Sequence, residues 1–192
     1  MITASANDFL TIFVGIELSA FSSYGLVAFR KTNDKSTEAG AKYLLIGAFS
    51  SALTLYGISL LYALTGSVTF EGVNAFLTGL ENGVIDGDFN ELVFISSLFI
   101  IAGLGFKIAV VPFHAWAPDV YEGAPTPVTA LLAAASKAMG FVALLKVFIF
   151  TLEPFADEWK LVFGIIALVS MTIGNLAALS QKDIGRMLAY SS

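Results

Sequence analysis

Three ionisable side chains stand in stretches that otherwise read as lipid-exposed: Glu17, Lys107 and Lys137. A lysine at the centre of a bilayer costs roughly 2.5 to 3.5 kcal/mol even on lenient insertion scales, so each needs a partner, a water-filled cavity or a function. An ammonium and a carboxylate brought together on different helices hold each other's charge, while desolvation pulls both toward neutrality. Groups balanced in this way can exchange protons. His114 adds an imidazole between the two lysines, and Lys146 a further amine nearer the far end of the same apolar run.

The elements that must position these groups are apolar spans. Of the 192 residues, 57% are hydrophobic and 13% charged, against about 45 to 50% and about 25% in soluble domains. This composition is that of an integral membrane protein. The absence of cysteine excludes disulfides, thiolate metal sites and cysteine-ligated clusters, and one histidine leaves little for haem or metal ligation. Electron transfer would therefore have to occur on other chains. Neither the charge of −5 nor its distribution suits nucleic acid.

A crossing of about 30 Å takes about 20 apolar residues, and five segments qualify: Phe9 to Phe29, Ala41 to Thr65, Leu92 to Val111, Val128 to Thr151 and Leu161 to Leu179. A sixth starts near Met187, so residues 1–192 read as one all-α transmembrane bundle. Met1 to Asp8 lacks the basic and small-residue features of a signal peptide, and both ends read as cuts in a longer protein. Arg30, Lys31, Lys35 and Lys42 follow the first span, and Lys182 and Arg186 the fifth. Ser67 to Glu91 holds five carboxylates and no Lys or Arg. The positive-inside rule puts the basic connectors and the Pro-rich connector Pro112 to Pro127 on the inner side, and Ser67 to Glu91 with Glu153, Asp157 and Glu158 on the outer. Lys160 alone runs against it.

Depth then sorts the polar groups. Glu17 lies about nine residues into its span, Lys137 about ten, Lys107 toward the inner end of the third and Lys146 toward the outer end of the fourth. Pro112 is expected to break the third helix just beyond Lys107, with Gly103 and Gly105 loosening it before. Broken helices at membrane depth line protein cavities or water.

Phe106-Lys107-Ile108 and the run Val111-Pro112-Phe113-His114-Ala115-Trp116-Ala117-Pro118-Asp119-Val120-Tyr121-Glu122-Gly123-Ala124-Pro125-Thr126-Pro127-Val128-Thr129-Ala130 resemble the signature of subunit N of the NADH-quinone oxidoreductase (respiratory complex I) family. Archaeal F420H2 dehydrogenases carry a similar subunit. Multisubunit sodium/proton antiporters share a looser Pro-Phe-His-x-Trp-Leu-Pro-Asp version, and Ala117 in place of its Leu favours the narrower group. Val14-Gly15-Ile16-Glu17-Leu18 is similar to the family's glutamate-bearing helix, and Ser180 to Ser192 to a later basic connector.

The resemblance implies a proton-translocating, antiporter-like membrane subunit in a prokaryotic cell membrane. Glu17 would be its charged glutamate, Lys107 the partner lysine on a broken helix and Lys137 the central relay lysine, with the next charged site beyond Ser192. No cofactor is expected on this chain; flavin, iron-sulfur clusters and quinone belong to partner subunits, both membrane and peripheral.

Each residue also has a plainer reading. Glu17 could stay protonated and hydrogen-bond a neighbouring helix, Lys107 or Lys146 could reach for the interface, and His114 could be a hydrogen-bonded structural histidine. Trp116 and Trp159 suit an interfacial belt; Asp119 and Glu122 suit capping or positioning of the next half-helix; Ala133 to Ser136 with Gly140 suit close helix packing. Three other functions compete: a sodium/proton antiporter, an intramembrane serine hydrolase using His114 and Asp119, and a membrane scaffold.

Overall fold

Side chains at the ends of the apolar runs set where the helices start. Asp8 accepts from the Thr11 N–H at 2.7 Å and opens α2 (Phe9–Val27), which follows the single turn α1 (Ile2–Ser5). Asn33 accepts from the N–H groups of Lys35 and Ser36 and opens α3 (Asp34–Thr65), so the second span continues through the expected basic connector rather than starting at Ala41. Gly66, at φ 66°, closes it in the left-handed conformation that glycine adopts without penalty. The computed structural model describes residues 1–85, 87 and 89–192. Asp86 and Asp88, two of the acidic-connector carboxylates, lie outside them.

Thr69 caps the amphipathic helix α4 (Phe70–Glu81), which buries Val73 and Leu77 one turn apart. Next come α5 (Asn90–Ile108), the short α6 (Trp116–Gly123), α7 (Thr126–Thr151), α8 (Ala156–Leu179) and α9 (Ile184–Ser191). The sixth helix thus begins at Ile184, earlier than Met187, because Asp183 accepts from the Arg186 N–H at 3.0 Å. Among the described residues there is no strand, only an isolated antiparallel bridge between Asp8 and Thr69. The architecture is the expected all-α bundle, with five helices among the described residues long and apolar enough to span a membrane.

The third helix does end just beyond Lys107, but Pro112 is not what ends it. Ala109 turns left-handed at φ 58°, and its N–H and that of Val110 return to the last-turn carbonyls of Phe106 and Gly105. Gly103 does not loosen the helix either; it lets α3 approach. A Cβ there would lie 2.8 Å from the Ser50 carbonyl oxygen, and the Ser50 hydroxyl donates to the Gly103 carbonyl at 2.7 Å. Irregularity appears instead in α7, where the α-helical turns are interrupted by π-helical segments at Leu132–Ser136 and Leu145–Thr151, on either side of Lys137–Leu144. Such wider turns are frequent at functional sites.

One apolar cluster joins α2, α3, α4, α5 and α7 around Phe9, Leu61, Leu104 and Phe148; a second joins α2, α3, α5 and α6 around Tyr43, Phe106 and Trp116. None of the α8 residues is buried, so this helix presents Leu161, Leu168, Leu176 and Leu179 outward.

Candidate functional site

Lys107 belongs to the last turn of α5 and is only 4% exposed. The free carbonyls at a helix C-terminus favour a cation there. Its Nζ lies 5.5 Å from the centre of the Phe106 ring and 5.9 Å from that of Tyr24 on α2. Among the described residues, no ion pair within 4.0 Å joins Lys107 to Glu17. The two are not in direct contact.

Glu17, half-buried on α2, meets α3 instead. The Ser51 hydroxyl lies 2.5 Å from Glu17 Oε1 and 3.0 Å from the Gly47 carbonyl, and with one proton it can donate to only one of them at a time. The neighbouring Ser50 donates to Gly103, one turn before Lys107 on α5. Two adjacent serines of α3 thus face the glutamate helix and the lysine helix respectively. Glu17 and Tyr24, seven residues apart, share one face of α2.

Lys137 is 7% exposed and its Nζ is buried with no hydrogen-bond partner among the described residues. It is the first residue after the π segment Leu132–Ser136. The Cβ built at Gly140, three residues on and therefore on the same face, would lie 3.2 Å from Lys107 Cβ and 2.7 Å from Ile108 Cγ2. Helix α7 therefore packs on α5 at Gly140, one turn from Lys137. Of the expected small-residue face, Gly140 is the position that makes this approach.

The Lys146 ammonium donates to the Ala6 carbonyl at 2.6 Å, tying α7 to the α1–α2 junction at the end of the first span that the positive-inside rule places outward. A free carbonyl at the end of α1 and the nearby π segment make that contact reachable. His114 Nδ1 is buried without a partner, its ring tilted over Tyr190 at 6.1 Å. It lines a small, partly open space of about 30 Å³ with Ser170 and Tyr190.

Trp116 is not part of an interfacial belt. It is 2% exposed, stacks on Tyr43 at 4.7 Å and 18°, and donates from Nε1 to the Phe106 carbonyl at 3.1 Å. Its proximity to the break beyond Lys107 placed it in the aromatic core instead. Trp159 is half-buried, packed on Phe148 and Phe163, and donates to the Leu152 carbonyl at 2.9 Å.

Asp119 and Glu122 do not cap α7, whose first turn has no side-chain cap. Both lie on α6 and face the basic residues that the sequence placed in connectors of the same side. Lys42 Nζ and Arg186 Nη1 lie 2.7 and 2.6 Å from Asp119; Lys35 Nζ and Arg186 Nη1 lie 2.5 and 3.1 Å from Glu122. Burial pushes the Asp119 carboxyl up, but the hydrogen bonds and charges of Lys42 and Arg186 outweigh it and hold it below the usual carboxylate range. Hydrogen bonds from Lys35 and Arg186 hold Glu122 down as well. With Asp119 so engaged and His114 making no side-chain hydrogen bond to it or to a serine among the described residues, a hydrolytic triad has no geometric basis.

Sequence reasoning overlooked Tyr24 and Ser51. Their signal was available in the seven-residue spacing from Glu17 and in a serine pair inside a span, but which helices would be neighbours was not.

Residues 6–192 match the family described as NADH:quinone oxidoreductase/Mrp antiporter, TM. Over the full chain, the sequence is 50% identical to NADH-quinone oxidoreductase subunit N of Heliobacterium modesticaldum, covering 39% of that protein. It is likewise 44% identical to F(420)H(2) dehydrogenase subunit N of Methanosarcina mazei, covering 38%. A chain of respiratory complex I from Thermus thermophilus superposes over 99% of this chain and 39% of its own length, with a TM-score of 0.79 and 35% identity. The chain thus spans about two fifths of the length of these relatives, and the expected resemblance to subunit N is borne out along its whole length.

Proposed function

Because the chain belongs to the NADH:quinone oxidoreductase/Mrp antiporter transmembrane family, we propose that it is part of a proton-translocating membrane subunit of a redox-driven NADH-quinone or F420H2 oxidoreductase complex. In this reading residues 1–192 are one transmembrane unit. Flavin, iron-sulfur clusters and quinone reside on partner subunits, and the chain's own part is to move protons along Glu17, Lys107 and Lys137.

The observation that carries this reading is Lys137: a buried amine with no hydrogen-bond partner among the described residues, one helical turn from the Gly140 that meets Lys107. A permanently charged, unpaired ammonium there would cost several kcal/mol. An amine that gains and loses a proton in turn bears that cost only transiently. Redox events in a partner that weaken the hold on Glu17 would change the charge facing Lys107, and through it the proton affinity of Lys137. The single proton of Ser51, shared between Glu17 and Gly47, supports Glu17 as the group that changes state. Lys146 and His114 are secondary members: one is occupied by the Ala6 carbonyl, the other faces the small space beside Tyr190.

The test is ion flux in inverted membrane vesicles carrying the full-length protein in its assembled complex, with and without sodium, for the wild type and Glu17→Gln. Redox-driven proton uptake independent of sodium and reduced severalfold by Glu17→Gln is expected. Sodium-dependent flux unaffected by redox substrate would replace this reading with a secondary antiporter.

A further inference from the structure

Lys107 is nearly as buried as Lys137, yet it is surrounded differently. Two aromatic rings flank its ammonium: Phe106, its own neighbour in sequence, at 5.5 Å, and Tyr24 across the α2–α5 interface at 5.9 Å. Both distances fall within the roughly 6 Å over which a ring's quadrupole attracts a cation, and the attraction grows when water is excluded. The Tyr24 ring is not free to turn. Tyr43 packs edge-on against it at 4.7 Å and 85°, and Tyr43 is itself stacked on Trp116. Its orientation therefore comes ready-made from α3 and α6. The Tyr24 hydroxyl, buried without a hydrogen-bond partner, gives no reason of its own for a tyrosine to stand here. The other charged groups facing this region are Glu17, on the same face of α2 about 10 Å along its axis, and Lys137 on α7. Of these, Glu17 attracts the ammonium.

We propose that Tyr24, with Phe106, is a positioning residue that forms an aromatic resting site for the Lys107 ammonium, occupied whenever that ammonium is not paired with Glu17. This rests on the relay reading of Glu17, Lys107 and Lys137. A relay lysine needs two places to be: beside its carboxylate, and somewhere that tolerates its charge when the carboxylate has let go. The π faces at the end of α5 supply the second, and a ring face is not a base that could take the ammonium's proton. The resting site thus keeps Lys107 charged but mobile, since a ring holds a cation less tightly than an ion pair does.

The experiment places phenylalanine, and then phenylalanines of increasing fluorination, at position 24 of the full-length subunit in its assembled complex. Fluorination drains the ring's negative face while leaving its shape nearly unchanged, so a merely structural ring would not respond. Protons translocated per electron pair are read in vesicles, alongside redox turnover. Tyr24→Phe is expected to retain most of the coupling, and successive fluorines to lower it stepwise, reaching about a tenfold loss when the ring is fully drained. Tyr24→Leu should match the fully fluorinated ring; should it fail to assemble, the fluorinated series decides alone. A flat series, with Lys107→Ala still abolishing translocation, would overturn the resting site and leave the relay standing. Undiminished translocation in Lys107→Ala would overturn both.

Discussion

Gly140 of α7 meets Lys107 of α5 so closely that a methyl group on Gly140 would lie 3.2 Å from the lysine Cβ. This is the point at which the helix that carries Lys137 packs on the helix that carries Lys107, and it depends on the absence of a side chain.

Gly140→Val should therefore push α5 and α7 apart. Overpacking of this kind costs about 1 to 3 kcal/mol. The expected outcome is lower thermal stability of the subunit in detergent, with a larger fractional loss of coupled proton movement than of redox turnover.

Lys137→Met should do the opposite to stability. The substitution replaces a buried, unpartnered amine with an apolar chain of similar length, and relief of a desolvated polar group is worth about 1 to 3 kcal/mol. A raised unfolding temperature together with lost translocation is the expected signature of a group retained for function.

Trp116→Ala should be among the most damaging changes outside the lysines. It removes a large buried ring, at about 3 to 5 kcal/mol, and leaves the Phe106 carbonyl without the indole N–H. Trp116→Phe keeps most of the ring and should cost about 1 kcal/mol for the hydrogen bond. Denaturation in mixed micelles would separate the two.

Acid should loosen the basic end of the bundle. Asp119 and Glu122 are held below their ordinary values in the folded chain, so their contribution is fully present above the unfolded value of about 4 and is lost as pH falls through the depressed folded ones. The unfolding temperature should change little from pH 7 to about pH 5 and drop below about pH 4. In an Asp119→Asn, Glu122→Gln double variant the acid limb should flatten.

Much of this organisation was readable without coordinates because lipid imposes it. Spans follow from length and apolarity, and the conflict between charge and hydrocarbon exposes Glu17, Lys107 and Lys137 as residues needing an explanation. What stayed hidden depends on which helices touch. Nothing in the sequence pairs Lys146 with the Ala6 carbonyl, 140 residues away, or Asp119 with Arg186, 67 away. Trp116 was misread because a tryptophan beside a helix end suits an interface and a buried stack equally well; Tyr43 and Phe106 make it the second. The π segments around Lys137 leave no compositional trace, and Ala109, an ordinary residue in a left-handed turn, ends α5 where Pro112 was the obvious candidate.

The most direct measurement is the number of protons moved per electron pair by the assembled complex when Lys137 of the full-length subunit is replaced by Ala. A marked fall in that ratio, with electron transfer continuing at a measurable rate, is expected if the buried amine carries protons. An unchanged ratio would contradict the relay, whatever the burial of the lysine.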